Sequence, residues 1–145
     1  VLLLEKETLP AIALDKTLLY GSLPYYITSP IISKFLLNPN FGIPVGIFIV
    51  QKEFAQKVAT EAKKKSYLRW LLNYSHTVQY NKTISAKGFS PAPKVDSAII
   101  SIIKGASQNI NYEHMLVVLD LISGFKRKTL GKIIKMLEDN KKISS

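Results

Sequence analysis

Thr17-Leu18-Leu19-Tyr20-Gly21-Ser22-Leu23-Pro24-Tyr25 is the stretch that decides the fold. Thr17 to Tyr20 is a short apolar run of the kind that forms a buried strand. It runs into a tight turn of the form X-Leu-Pro-aromatic. Thr28 and Ser29 then stand as caps for a helix beginning at Pro30, with Ile31, Ile32, Phe35 and Leu36 on one face. Asn38-Pro39-Asn40 ends that helix. Strand, turn and helix in this order predict an α/β unit.

The pattern repeats downstream. Pro44-Val45-Gly46-Ile47-Phe48-Ile49-Val50 is an unbroken apolar run, which predicts a strand covered on both faces. Phe54, Ala55, Val58 and Ala59 then recur at helical spacing. A helix from Tyr67 to about Tyr74 leads into an extended stretch from His76 to Ile84. A Pro- and Gly-punctuated loop follows from Ser85 to Pro93, then a strand from Asp96 to Ile103. Beyond Gly105 the pattern becomes two helices. Tyr112, Met115, Leu116, Leu119 and Ile122 form one apolar stripe, and Leu130, Ile133, Ile134 and Leu137 form the other. Lys128, Lys132 and Lys135 line the second helix's far side at i, i+4, i+7. The change of pattern divides the chain at residues 1–104 and 105–145.

Composition bounds the function. The 145 residues are 47% hydrophobic, enough for a core of ordinary single-domain size. Cysteine is absent, so disulfides and thiolate metal sites are excluded. Val1-Leu2-Leu3-Leu4 runs at once into Glu5-Lys6-Glu7, too short for a signal peptide or a membrane span, and the chain reads as a cytoplasmic piece of a longer protein. The formal charge is +10. From Gln51 to Trp70 there are six basic and two acidic side chains, and from Lys104 to Ser145 eight and four. Such charge attracts phosphate backbones without choosing a sequence, and it equally suits a solvated lysine surface. His76 and His114 stand alone, without partners at metal-ligand spacing, so no metal is expected.

Two loops carry the chemistry. The X-Leu-Pro-aromatic turn at Ser22-Leu23-Pro24-Tyr25 resembles the active-site loop of amino-methyltransferases, which implies an exocyclic amine such as adenine's as substrate. Such an amine is a poor nucleophile because its lone pair is delocalised into the ring. Transfer of a methyl group to it needs acceptors that hold the two N–H bonds and favour a pyramidal nitrogen. A carbonyl at Leu23, fixed by Pro24, with a side-chain acceptor at Ser22, supplies this, and Tyr25 can stack on a base turned out of its helix. A plain turn with buried aromatics remains the alternative for the tetrapeptide alone. The second loop is Gly88-Phe89-Ser90-Pro91-Ala92-Pro93-Lys94-Val95-Asp96-Ser97-Ala98.

Four stretches, taken together, resemble the rRNA adenine N6,N6-dimethyltransferase family (KsgA/RsmA) in order and spacing. They are Gly21 to Pro30, Val50-Gln51-Lys52-Glu53-Phe54-Ala55, the Phe89 to Ser97 stretch, and Phe125-Lys126-Arg127-Lys128-Thr129-Leu130. The resemblance implies the C-terminal part of a Rossmann-like methyltransferase sheet plus a short helical segment, with S-adenosylmethionine as methyl donor and adjacent adenines of small-subunit rRNA as substrate. On that analogy Ser22, Leu23, Pro24, Tyr25 and Phe89 form the catalytic site, with Ser22 also touching the cofactor. Gln51-Lys52-Glu53 shapes the rim, and Asp96 and Ser97 fix the loop-to-strand turn. Lys94, Lys126, Arg127, Lys128, Lys132 and Lys135 face RNA within a pre-ribosomal subunit.

Two departures qualify the analogy. The family's first motif residue is usually Asn, and here it is Ser22, whose hydroxyl accepts a hydrogen bond but lacks the amide's paired donor. No Gly-x-Gly occurs in the chain, so the cofactor turn is expected upstream of Val1. A chain lacking that half is expected to be inactive alone, and to leave the strand around Leu18-Leu19 with an open edge through which it can self-associate. The reading from another class is an RNA-binding or ribosome-assembly module that keeps the basic surface without catalysis. A DNA-binding transcription factor on the same scaffold is a third.

Overall fold

A computed structural model describes residues 14–38, 40–61, 66–105, 112–125 and 128–139. The chain divides into two compact units, Val1–Ile110 and Asn111–Ser145. The first holds a four-stranded mixed sheet: β1 (Leu18–Ser22), β2 (Val45–Gln51), β3 (His76–Ile84) and β4 (Ser97–Lys104). Their order is β1-β2-β4-β3, with β1 parallel to β2 and β4 antiparallel to both its neighbours. A parallel pair needs a crossover, supplied here by α1 (Thr28–Ile32), which continues as a π turn over Ser33–Leu37. α2 (Lys52–Val58) and α3 (Tyr67–Ser75) connect β2 to β3.

The helices bury one face of the sheet. Gly46, Phe48 and Val50 of β2 alternate with outward residues and align with Ile102, Ile100 and Ala98 of β4. Ala98, Ile100 and Ile102 have no solvent exposure. Ile31, Ile32, Phe35, Leu36 and Leu37 from the first crossover, with Ala55, Val58, Leu71 and Leu72, complete this core. Gly46 has a packing reason: a Cβ there would stand 2.5 Å from the Phe48 ring and 2.9 Å from Leu36. Gly42, at φ 54°, makes the left-handed turn into β2.

The other face is open. Leu18 (48%), Tyr20 (77%), Ile47 (39%) and Ile103 (39%) are exposed there. The unbroken apolar run of β2 predicts cover on both sides, whereas Ile47 stays exposed on one. β1 reaches further than its apolar core, because Gly21 and Ser22 pair with Phe48 and Ile49. Among the described residues β1 is the sheet's edge.

The first helix corrects a second expectation. It starts at Thr28, and neither Thr28 nor Ser29 caps it; the N-cap is Ile27, without a side-chain bond. Thr28 Oγ1 instead donates to the Pro24 carbonyl at 3.1 Å. The Asn38 terminator holds: its carboxamide Oδ1 accepts from Asn40 N–H at 2.9 Å.

The second unit contains α4 (Tyr112–Ser123) and α5 (Leu130–Asp139), with Leu119 and Ile133 buried. No helix among the described residues is long and apolar enough to cross a membrane.

Candidate functional site

The parallel strands β1 and β2 both end at one edge of the sheet, and the antiparallel β4 begins there. Gln51 pairs with Ser97, Ser97 with Ile84, and Ile49 with Ser22. Three connections therefore converge at this edge: the Ser22–Tyr25 turn, the start of α2 and the loop between β3 and β4. This is the carboxyl end of the parallel strands, where open α/β sheets take ligands.

Two sets of bonds tie the connections together. The Tyr25 hydroxyl lies 2.8 Å from Ser97 Oγ, joining positions 72 residues apart. Asp96 gathers the other side: its carbonyl accepts from Lys52 N–H at 3.0 Å, Oδ2 from Lys52 Nζ at 3.2 Å, and Oδ1 from Ala86 N–H at 3.2 Å. The Ala86 bond, and then Lys52, hold the Asp96 carboxyl below its ordinary value. Asp96 thus fastens the loop to the sheet.

Within the first turn, Leu23 N–H donates to the Ile49 carbonyl at 3.0 Å, so β2 sets where the turn starts. Pro24 sits at φ −58°, ψ 130°. Its carbonyl accepts from Ile27 N–H and from Thr28 Oγ1, both at 3.1 Å, which occupies both of its lone pairs. The Pro24 carbonyl is thus engaged within the turn. Ser22 is exposed at the end of β1. Tyr25 is 40% exposed, while the next ring, Tyr26, stands 85% exposed.

Phe89 is half-buried in the second loop, where its N–H donates to the Ala86 carbonyl at 3.2 Å. The Ser90–Pro91 peptide beyond it is cis. An open cleft of about 390 Å³ lies at this edge, lined by Gln51, Lys52, Gln56, Lys94 and Asp96 among others. Lys94 is exposed within it. Neither Tyr25 nor Phe89 lines this cleft.

Of the basic residues expected to face RNA, Lys126 and Arg127 lie outside the described residues. Lys128 precedes α5, in a turn where its N–H donates to the Phe125 carbonyl at 2.9 Å. The expected helical stripe therefore reduces to Lys132 and Lys135, both exposed on α5.

His76 opens β3 on the covered face. It is 6% exposed, and Ser75 Oγ lies 2.7 Å from its Nδ1. Burial, followed by the nearby Lys104 charge, holds its pKa at about 4, so the imidazole is neutral at pH 7. The residue that sequence reasoning placed too modestly is Ser97. It is 1% exposed and its Oγ meets the Tyr25 hydroxyl. Nothing local to Asp96-Ser97 announces a partner in the other loop.

Known proteins are similar to this chain in sequence and fold. The family model for ribosomal RNA adenine dimethylase matches residues 6–144. The ribosomal RNA small subunit methyltransferase A of Clostridium botulinum is 32% identical over 132 residues, covering 88% of this chain and 48% of that protein. The protein of the same name from Metamycoplasma arthritidis is 37% identical over 112 residues, covering 76% and 43%. Among solved structures, a dimethyladenosine transferase from Plasmodium falciparum superposes with a TM-score of 0.60 at 26% identity, covering 88% of this chain and 52% of that one. The 23S rRNA methyltransferase ErmE gives 0.63 at 26% identity, covering 77% and 46%. The chain spans about half the length of the curated relatives it matches. With the mixed sheet, the two motif loops at its carboxyl edge and a family match over nearly every residue, this chain belongs to the ribosomal RNA adenine dimethylase family.

Proposed function

We propose that this chain is the base-holding half of a ribosomal RNA adenine N6,N6-dimethyltransferase, which uses S-adenosylmethionine to methylate adenines of small-subunit rRNA. The observation that carries the reading is the Tyr25–Ser97 bond, which fixes the X-Leu-Pro-aromatic turn at the ligand-binding edge of the sheet. There the Leu23 carbonyl and the Ser22 hydroxyl accept from the adenine amino group, drawing its lone pair out of conjugation. Tyr25 stacks on the base and Phe89 approaches it from the second loop. Residues 1–104 serve as part of a catalytic domain and 105–145 as part of a helical one. Lys94, Lys132 and Lys135, with the basic run Lys126-Arg127-Lys128, meet RNA phosphates of a pre-ribosomal subunit in the cytoplasm.

The residues present do not by themselves make a site for S-adenosylmethionine. Ser22 offers one hydroxyl at the end of an exposed strand, the edge cleft is lined by other residues, and the 145 positions contain no Gly-x-Gly turn. Calorimetric titration of this chain with S-adenosylmethionine is expected to show little binding; a low-micromolar dissociation constant would contradict this. β1 is the sheet's edge among the described residues, which invites self-association, and sedimentation is expected to show mass rising with concentration.

The test of the function is methyl transfer from labelled S-adenosylmethionine to small-subunit rRNA by this chain extended at Val1 with the matching half of the Clostridium botulinum relative. Transfer that rises with Ser22→Asn supports the enzyme. The second reading, a non-catalytic RNA-binding or ribosome-assembly module, is favoured by Ser22 itself. It prevails if the extended Ser22→Asn chain binds the RNA as tightly as before and transfers nothing.

A further inference from the structure

We propose that Ser97 is a positioning residue that sets the orientation of the Tyr25 ring before RNA arrives. The inference rests on the reading of Tyr25 as a base platform and adds what holds the platform still. Ser97 opens β4, flanked by Gln51 of β2 and Ile84 of β3, and is 1% exposed. Its backbone is held between two strands. Tyr25 opens a short 3-10 turn, Tyr25–Ile27, that runs into α1 and is not itself part of a strand. The residue is 40% exposed, and its hydroxyl meets Ser97 Oγ at 2.8 Å.

An exposed side chain without a partner can take several χ1 and χ2 rotamers, and the neighbouring Tyr26 is 85% exposed. Pinning the far tip of the ring removes that freedom while leaving the residue exposed. Orientation settled in advance lowers the entropic cost of stacking a base. A serine needed only to finish its own turn would bond to nearby backbone, as Ser85 Oγ does in accepting from Lys87 N–H. Ser97 instead reaches across the edge to the other motif.

The experiment compares the chain's affinity for two otherwise identical RNA hairpins, one with an unpaired adenine and one abasic at that position. The unaltered chain is expected to prefer the adenine RNA roughly tenfold, as stacking on an aromatic ring gives. Tyr25→Phe keeps the ring and loses the hydroxyl, and Ser97→Ala removes the other partner. Each is expected to lower the preference about threefold, the usual weight of one hydrogen bond, and the double variant to lower it no further. Affinity for the abasic RNA stays the same, which a general loss of structure would not allow. Tyr25 lies at the surface, so Tyr25→Phe carries the test even if Ser97→Ala folds poorly. Full adenine preference in both single variants, with Tyr25→Ala losing it, would overturn the role of Ser97 and leave the platform standing. Equal or undetectable binding of both RNAs by the unaltered chain would overturn the platform itself.

Discussion

The two faces of the sheet differ sharply in how far they are covered. On the helix-covered face Ala98, Ile100 and Ile102 see no solvent; on the opposite face Tyr20 is 77% exposed and Leu18 48%. Both faces carry large apolar side chains on β1, β2 and β4. The difference shows that apolar patterning specifies what a strand can bury, and the neighbouring elements decide what it does bury. It also shows that the motif turn at the end of β1 takes its anchorage from β2 and β4, through Leu23 to Ile49 and Tyr25 to Ser97, more than from the packing of its own strand.

The largest effect expected from this contrast is in stability. Phe48→Ala, on the covered face, is expected to cost about 3–5 kcal/mol in urea denaturation, the usual range for a phenylalanine removed from a close-packed core. Tyr20→Ser, on the open face, is expected to stay within about 0.5 kcal/mol. Comparable losses would show that something covers the open face in solution.

The next effect sharpens the same contrast through the covered face's histidine. His76 is held at about 4 against an ordinary 6.5. As pH falls below 6.5 the unfolded chain takes up a proton that the folded chain refuses. Stability therefore declines down to about pH 4, by up to about 3 kcal/mol, and is fully present above 6.5. Denaturation midpoints measured across that window check the slope, and His76→Leu is expected to flatten it.

Glycines give the smallest test. Gly46→Ala forces a Cβ against Phe48 and Leu36 and is expected to cost about 1–3 kcal/mol. Gly21→Ala, at the edge strand with nothing within 4 Å of a new Cβ, is expected to be neutral or to gain about 0.5 kcal/mol. Thermal melting of the two variants suffices. Equal costs would remove the distinction between the sheet's interior and its edge.

The strands were readable because their signals are local. The run from Val45 to Val50, and the apolar stretch from Ala98 to Ile103, need no partner to be recognised. The failures came where a distant group decided the outcome. Thr28 has the side chain of a helix cap, yet a carbonyl freed by Pro24 captures its hydroxyl. Gly21 and Ser22 lack strand character, yet β2 pairs with both. Lys128 fits the cationic spacing, but the helix starts two residues later, at Leu130. The site divides in the same way. Its motif residues were visible as tetrapeptides, whereas the Tyr25–Ser97 bond joins two loops across 72 positions and has no local trace.

The edge formed by the Ser22–Tyr25 turn and the Phe89 loop is the proposed receiver of the adenine. Photo-crosslinking with a small-subunit rRNA hairpin carrying 8-azidoadenine at the unpaired position tests it most directly. After trypsin digestion the adduct is expected in the peptide spanning 17–34 or the one spanning 88–94. Adducts confined to the peptides around Lys132 and Lys135 would contradict the account.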